Sequence, residues 1–364
     1  MKIRTTKTKI LNALKTTDKA IAARATMPIL QNVLLEAKNG IINLTGTNLD
    51  IYLHSQFEPS YVDDGELCLP SKKLIQIIGN LPEEIINLEK QKNHVKISSG
   101  SSIFQLPIMN SEEYPKQPIV NGQEITIETE NLKTLINSTK DSSSTDEGRY
   151  VLNSIMLHHQ DDKLIAVSTD GRRLCKNAIE GIGNMEETIV PFKSTIPILE
   201  ILSHGKEAKI SQEKTSIFIK VEDEQGLTYS IYSKLIEGKY PNYRQVIPKT
   251  SNASIKISKE EFSKIILRST LITSDKSPSV KLTFNQSSID IDAKSTEYGN
   301  FNEPVTCQNG PEESFQMAIN PKFLLSAIKN APTDEITLEI KDGLSPAIIK
   351  SENYLHVIMP LRLN

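Results

Sequence analysis

The stretch "LPSKKLIQIIGN" (69–80) places a proline and two lysines ahead of a short apolar helical pattern. A proline followed by one lysine stands ahead of a similar pattern in "VPFKSTIPILEIL" (190–202) and in "INPKFLLSAIKN" (319–330). Proline suits the start of a helix, because the N–H that it lacks would have no helical partner there. A pattern that recurs at intervals of about 120 residues indicates an internal repeat.

The surroundings of these helices repeat as well. A longer helical pattern opens each copy, at 7–24, 130–144 and 258–274, and Ser258 with Glu261 forms a capping-box signature. Two strand-like runs then flank a turn, at 32–55, 151–177 and 279–298, and the turns at 38–40, 160–162 and 285–287 suit hairpins. More strands close each copy. The sequence therefore predicts an α+β fold of three tandem helix–strands–helix–strands domains, at 1–118, 124–244 and 245–364.

Composition indicates an ordinary soluble protein. The chain has 364 residues, of which 38% are hydrophobic, and it contains no Trp. The N-terminal residues lack the unbroken apolar core of a signal peptide, and no run is long enough to cross a bilayer. Its three cysteines are far apart in sequence, which favours buried thiols in a reducing cytoplasm over disulfides or zinc.

The charge is distributed unevenly between helices and strands. The formal net charge is −3, yet the helical segments carry an excess of lysine and arginine, so the strands and loops are acidic. A solvated helix surface would account for this equally well. Alternatively, a ring or arc with helices on a basic inner wall and sheets outside would attract a polyanion through phosphate contacts, without reading bases.

One short segment, "AVSTDGRRLC" (166–175), could carry chemistry. Asp-Gly between strand-like runs is typical of a turn, because Gly tolerates positive φ and Asp bonds to its own backbone. The alternatives are a catalytic Asp170 and a loop that holds phosphate. A single carboxylate without a partner makes a poor acid–base pair.

Other catalytic signatures are missing from the sequence. It contains no nucleotide P-loop, no GxGxxG, no HExxH and no GxSxG elbow. The adjacent His158 and His159 would point to opposite faces of a strand, one into the core and one into solvent. We therefore expect no catalytic residues, no metal and no cofactor.

Several segments together resemble one known family. They are "RATMPILQNVLLEA" (24–37), "RYVLNSIML" (149–157), "STDGRRL" (168–174), "SKLIEGKYPNYRQVIP" (233–248) and the terminal "VIMPLRLN" (357–364). With the threefold repeat, they resemble the β subunit of bacterial DNA polymerase III, the sliding clamps, over essentially the whole chain.

The resemblance implies a DNA clamp fold and a head-to-tail homodimer, which closes a ring around duplex DNA. A head-to-tail contact forms a ring only when its rotation closes. The family's interface positions correspond to Phe104 and Leu106 on one subunit and to Leu271 and Ile272 on the other. Periodicity by itself would favour a core role for all four.

The resemblance also implies a partner-peptide pocket that includes the Thr-Asp-Gly turn and is closed by the C-terminal strand. Proline, aliphatic residues, a flexible methionine and rim arginines suit an extended peptide with apolar anchors. Pro360 argues against a central strand for the last segment. The matching positions are Arg149, Leu152, Thr169, Gly171, Arg172, Leu174, Pro241, Val246, Val357, Met359, Pro360, Leu361 and Arg362.

For DNA binding, Arg24 matches a family position on the inner surface. Lys72, Lys193 and Lys322 are placed there only by the repeat. Some positions depart from the family pattern and put a DNA contact, the peptide preference or the pocket edge in doubt. They are Asp146, Glu147, Val151, Arg172 and Asn364.

The resemblance implies a non-enzymatic processivity factor in the cytoplasm, at the nucleoid and replisome. Its expected partners are double-stranded DNA without sequence preference, a second copy of itself, the replicative polymerase catalytic subunit, an ATP-driven clamp loader and other clamp-binding-motif proteins of repair and replication. No membrane is expected. Two alternatives remain: an enzyme that uses Asp170 on a phosphorylated substrate, and a repeat scaffold that never encircles DNA.

Overall fold

The structure is a computed structural model that describes residues 1–22, 26–82, 84–181, 185–274 and 278–362. Its helices are α1 Lys7–Asp18, α2 Ser71–Asn80, α3 Thr129–Lys140, α4 Phe192–Leu202, α5 Lys259–Thr270 and α6 Pro321–Asn330. Its strands are β1 Lys2–Thr6, β2 Asn32–Lys38, β3 Ile41–Thr47, β4 Ile51–Phe57, β5 Tyr61–Val62, β6 Gly65–Pro70, β7 Ile85–Lys90, β8 His94–Ser99, β9 Ser102–Pro107, β10 Glu124–Glu128, β11 Ser154–Gln160, β12 Lys163–Thr169, β13 Arg173–Glu180, β14 Thr188–Pro191, β15 Glu207–Glu213, β16 Ser216–Glu222, β17 Thr228–Lys234, β18 Ala253–Ser258, β19 Val280–Phe284, β20 Ser288–Ser295, β21 Gly299–Thr306, β22 Phe315–Ile319, β23 Glu335–Ile340, β24 Ala347–Ser351 and β25 Tyr354–Ile358.

The three opening helices end several residues before the apolar pattern does. Each has Ser or Thr in its last turn, and the side-chain hydroxyls donate back to helix carbonyls. In α1, for example, Thr17 Oγ1 donates to Ala13 O at 2.9 Å. Such local bonds compete with continuation of the helix. Ser258 caps α5 as predicted, since its Oγ accepts from Glu261 N at 3.4 Å.

The short helices begin at the Pro-Lys segments as predicted. Pro321 is the first residue of α6, whereas Pro70 and Pro191 are the N-cap residues of α2 and α4. The lysine that follows is therefore the second residue of each helix. None of the three helices has an acidic residue in its first turn.

The chain divides into two compact units, and the first comprises residues 1–133 and 190–237. It contains a five-stranded sheet in the order β5-β1-β7-β8-β9 and an eight-stranded sheet in the order β10-β15-β16-β17-β4-β3-β2-β6. The two repeats meet in the larger sheet, where β17 pairs antiparallel with β4 and Tyr232 lies opposite Tyr52. Helices α1 and α4 pack against this sheet.

The second unit comprises residues 134–189 and 238–364. Its eight-stranded sheet has the order β14-β11-β12-β13-β25-β24-β23-β18, and its four-stranded sheet the order β21-β20-β19-β22. Helices α5 and α6 pack against each other, and α5 also covers β20 and β21. Aliphatic side chains and the buried Phe262 and Phe284 form the core of this unit.

One expectation about the C-terminal segment is wrong. The strand β25 is central in its sheet, between β13 and β24, with Leu174 opposite Val357. Pro360 permits this because the strand ends at Ile358, so the proline lies beyond the last ladder bond that would need its N–H.

The predicted hairpins are confirmed. In the β11–β12 connection, Asp161 and Asp162 have φ of 52° and 56°, as a two-residue type I′ turn requires. The cysteines are free and buried, as expected. Within the described ranges, no helix is both long and apolar enough to cross a membrane. The same residues contain no group of three or more potential metal ligands.

Candidate functional site

The Thr-Asp-Gly segment is a tight turn between β12 and β13. Asp170 Oδ1 accepts from the backbone N of Arg172 at 2.8 Å and of Arg173 at 3.0 Å. Thr169 Oγ1 accepts from Gly171 N at 3.0 Å and donates to Arg173 O at 2.6 Å. The interpretation of Asp170 as a turn-former is therefore confirmed.

Arg173 anchors this turn to the helices beneath it. Its Nε donates to Asp170 Oδ2 at 3.1 Å, and both side chains are largely buried, with 14% and 17% exposed. Its guanidinium lies 4.3 Å from the centre of the Phe323 ring on α6, and its Nη2 donates to Asp141 O just after α3. A charge-assisted pair that is shielded from water holds its geometry more firmly than a surface pair. The sequence reasoning missed Arg173.

Arg149 meets the turn from the other side. Its Nη1 donates to Asp170 O at 2.8 Å. Gly171 has φ of +88°, and a Cβ there would lie 3.0 Å from Arg149 Nη2. The positive φ favours glycine at this position, and a Cβ there would also push the end of the Arg149 side chain away by a few tenths of an ångström.

The apolar side of the site is built on the sheet. Leu174 and Val357 are register partners on β13 and β25 and are each 2% exposed. Val246 and Met359, by contrast, are 50% and 43% exposed, although they are apolar. Met359 N donates to Arg172 O at 2.9 Å, which fixes the C-terminal segment to the turn.

Two of the remaining predicted pocket residues are held by backbone hydrogen bonds. Leu361 N donates to Ala318 O at 2.8 Å, and Leu152 N to Arg149 O at 2.8 Å. Leu152 and Pro360 are half-buried, whereas Pro241, Arg172, Leu361 and Arg362 are exposed. The chain direction and register therefore bring Arg149, Thr169, Gly171, Arg172, Leu174, Val357 and Met359 together. Asn364 lies outside the described residues.

The two adjacent histidines do not divide as predicted. One of the two was expected in the core and the other in solvent. His158 is the buried one, and its Nε2 lies 2.9 Å from Tyr243 Oη. His159 is half-buried rather than exposed, and its Nε2 has no hydrogen-bond partner in the described part of the chain. Burial lowers the pKa of His158, and the nearby Arg244 lowers it further.

The predicted DNA-binding lysines differ in their surroundings. Lys72 and Lys322 are exposed at the starts of α2 and α6. Lys193 is exposed too, but its Nζ lies 2.5 Å from Asp50 Oδ2, and Lys234 Nζ lies 3.1 Å from Asp50 Oδ1. Partial burial would raise the pKa of Asp50, but the hydrogen bonds from the two lysines outweigh it and lower this pKa. Arg24 lies outside the described residues.

The four predicted interface residues divide into exposed and packed ones. Phe104 on the edge strand β9 is 43% exposed, and Leu271 after α5 is 74% exposed. Leu106 is buried in its own unit, and Ile272 packs against the core of its unit. Phe104 and Leu271 are therefore the two exposed members of the predicted set.

Comparison with known proteins identifies the family. The N-terminal, central and C-terminal domains of the DNA polymerase III beta subunit match residues 1–118, 126–242 and 244–362. The chain belongs to the DNA polymerase III beta subunit family. The fold class predicted from the repeat and the expectation of a non-catalytic sliding clamp are thereby confirmed.

Curated relatives and solved structures are similar to this chain over nearly its full length. The chain is 29% identical to the beta sliding clamp of Chlamydia pneumoniae over 370 residues, with 100% of both chains covered. It is also 29% identical to that of Rickettsia bellii, with 97% of each covered. The sliding clamp of Bacillus subtilis superposes with a TM-score of 0.92 at 26% identity, and that of Bartonella birtlesii bound to griselimycin with 0.93 at 27%, each covering 100% of both chains.

Proposed function

We propose that two copies of this protein join head to tail as a ring around duplex DNA, and that the ring tethers the replicative polymerase and other replication and repair proteins. The ring is opened and loaded by an ATP-driven clamp loader and works at the nucleoid. Each copy contributes three domains, with boundaries at 1–118, 124–244 and 245–364.

Two unpaired strand edges support the ring. The strand β9 ends one sheet of the first unit, and β21 ends the four-stranded sheet of the second unit. Pairing β9 of one copy with β21 of another would satisfy both edges and bury Phe104 and Leu271. Each copy has one edge of each kind, so the contact is head to tail.

The helix starts support sequence-independent DNA binding. Lys72, Lys193 and Lys322 are each the second residue of a helix without a first-turn acid. A lysine is unfavourable beside the positive end of a helix dipole, so helix stability does not explain this repeated arrangement. Backbone phosphates, in contrast, would be attracted by both the lysine and the helix end.

The exposed apolar side chains beside the anchored turn support peptide binding. Val246 and Met359 are exposed apolar side chains, Met359 follows Val357 by two residues, and Arg149 and Arg172 would form the rim. A solved relative from Bartonella birtlesii is bound to griselimycin. Tethering raises the effective concentration of a bound polymerase at its primer end, so rebinding becomes intramolecular.

The observation that carries the proposal is the match of all three beta-subunit domains to this one chain in order. Retention on nicked circular plasmid, after loading with a clamp loader and ATP, tests it. We expect the protein to stay on the circle and to leave within seconds once a restriction enzyme linearises the DNA.

Two outcomes would contradict the proposal. Equal retention on circular and linear DNA would indicate charge-driven binding without enclosure. No retention on either form, with peptide binding intact, would favour a repeat scaffold that never encircles DNA. A plasmid with bound proteins blocking both ends after linearisation is the control, and it should restore retention.

A further inference from the structure

A cavity lies on β13 and β25, the two strands that carry Leu174 and Val357 of the candidate peptide pocket. It has a volume of about 400 Å³, and Lys176 and Leu355 lie opposite each other in its floor. Residues two apart on a strand share a face, so Lys176 lies beside Leu174, and Leu355 beside Val357. The cavity therefore begins one step, about 7 Å, along the sheet from the apolar floor of the pocket.

Its wall comes from the segment that also supplies Val246. Tyr243, Arg244 and Ile247 line the cavity. The Arg244 guanidinium lies 4.8 Å from the centre of the Tyr243 ring, and its Nη2 donates to Gln160 Oε1 at 2.5 Å. These contacts hold the guanidinium in place, so it loses little freedom when it binds a ligand.

Only two of the four cations that line the cavity form ion pairs within the described part of the chain. The lining cations Lys163 and Lys350 form ion pairs with Glu180 at 2.9 Å and with Glu339 at 2.7 Å. Lys176 and Arg244 have no ion-pair partner in the described ranges, although Asp161 and Glu352 also line the cavity. We name these two cations, with their cavity, the basic extension.

The surroundings of Lys176 disfavour its positive charge. Partial burial lowers its pKa, the charges of Arg244 and Lys163 lower it further, and only the weaker attraction of Asp161 acts in the opposite sense. A lysine that is half-buried near two other cations costs stability unless an anion joins it. This suggests that the missing counter-ion comes from a ligand.

We propose that the basic extension binds an acidic side chain of the partner peptide, next to the apolar anchors that occupy the neighbouring pocket. The inference rests on the proposed peptide-binding role. Its floor lies on the same face of β13 and β25 as Leu174 and Val357, so one extended chain can reach both places. Cys175, next to Lys176, contacts Ser138 O of α3, so Lys176 points away from the helix side, where the DNA-binding lysines are proposed.

Matched peptides test the basic extension. A peptide that binds the full-length protein is first selected from a random-sequence display library. It is then synthesised with three flanking Asp or Glu residues, or with the corresponding Asn or Gln, at each end in turn. Fluorescence anisotropy measures binding to the unmodified protein and to Lys176→Met, Arg244→Gln and the control Lys256→Gln. Lys256 is in register with Thr337, which pairs with Lys350, so the control removes the same charge from the same sheet face.

We expect the acidic peptide to bind the unmodified protein about tenfold more tightly than its amide twin, as a charge-assisted contact implies. The ratio of the two peptide dissociation constants should fall below about twofold in Lys176→Met and in Arg244→Gln, and it should stay near tenfold in Lys256→Gln. The amide peptide should bind all four proteins alike, which also shows that they are folded.

Equal binding of both peptides to the unmodified protein would contradict an acid-binding role of the basic extension, but it would not contradict the proposed peptide pocket. Met359→Ala separates the two ideas, since it should weaken both peptides equally. If Met359→Ala weakens the binding of neither peptide, the proposed peptide pocket is wrong, and so is the inference that rests on it. If a short single-stranded oligothymidylate displaces the acidic peptide but does not displace the amide peptide, the cavity binds nucleic acid instead.

Discussion

At the scale of single residues, the Thr-Asp-Gly turn owes its shape to local chemistry that the sequence displays. Asp170 and Gly171 predict the turn, and the structure confirms it. The sequence does not show that Arg173 anchors the turn to α6 and to the end of α3, because its partners are far away along the chain. The contacts of Arg173 hold the turn in place, and the turn belongs to the proposed peptide pocket.

Asp170→Ala should lower the free energy of unfolding by about 2 kcal/mol, because it removes two backbone hydrogen bonds and a shielded ion pair. Asp170→Asn should cost about half as much, since an amide oxygen can still accept from the turn. Urea unfolding measures both. Peptide affinity should fall in the same order, and an unchanged stability in the alanine variant would contradict the anchoring role.

His356 should make the protein less stable in mild acid. Burial, with a smaller effect of Arg173, lowers its pKa to about 3. The unfolded chain takes up a proton near pH 6.5 and the folded chain does not, so stability is present above pH 6.5 and is lost as the pH falls toward 3. This one group should contribute about 1.4 kcal/mol per pH unit in that range.

The variant His356→Gln isolates this effect. Its unfolding free energy, measured by urea titration between pH 7 and pH 5, should fall less steeply than that of the unmodified protein. The pKa values of His54, His158 and His204 are also lowered, chiefly by burial, so some acid sensitivity should remain. Identical slopes in the two proteins would refute the role of His356.

At the scale of elements, hydrophobic periodicity and turn residues in the sequence locate the helices and hairpins. The structure differs from these predictions mainly in the residues at which the helices end. The last turns of α1, α3 and α5 are closed by hydroxyl side chains that bond to helix carbonyls. The central place of β25 was not predictable, because pairing partners distant in sequence decide strand order.

Phe104 on β9 and Leu271 after α5 should control dimer formation. Phe104→Glu and Leu271→Glu should each raise the dimer dissociation constant at least about 100-fold, because an unpaired charge is costly at a buried interface. Sedimentation velocity across a dilution series measures this. Ile119→Glu alters an apolar side chain that is 82% exposed and serves as the control. A dimer that tolerates both edge variants would show that the interface lies elsewhere.

Asp50 should moderate DNA binding by α4. Because it forms ion pairs with Lys193 and Lys234, Asp50→Asn should raise affinity for linear duplex about two- to fivefold at low salt. Lys193→Ala should matter little alone and more in the Asp50→Asn background. Electrophoretic mobility shifts measure this, with Glu58→Gln, which removes an exposed acid, as the charge control. Equal effects of both acid variants would indicate a general charge effect.

At the scale of the whole molecule, a net charge of −3 permits enclosure without strong attraction. Retention on nicked circles should change less than about threefold between 50 and 500 mM NaCl, whereas equilibrium binding to linear duplex should fall by about 100-fold or more. Release rates from labelled plasmid measure both. A release rate from circles that follows the linear salt dependence would rule out topological retention.

The sequence by itself determined the repeat, the α+β class, the hairpins, the Asp170 turn and the family, because these depend on local periodicity, turn chemistry and recurring segments. Only the tertiary structure decided that β25 is central, that Arg173 anchors the turn, that Asp50 pairs with Lys193, and that Lys176 and Arg244 line one cavity without an ion pair among the described residues. Each of these depends on residues from distant segments meeting across a sheet or at a helix start, and local patterns carry no information about such meetings.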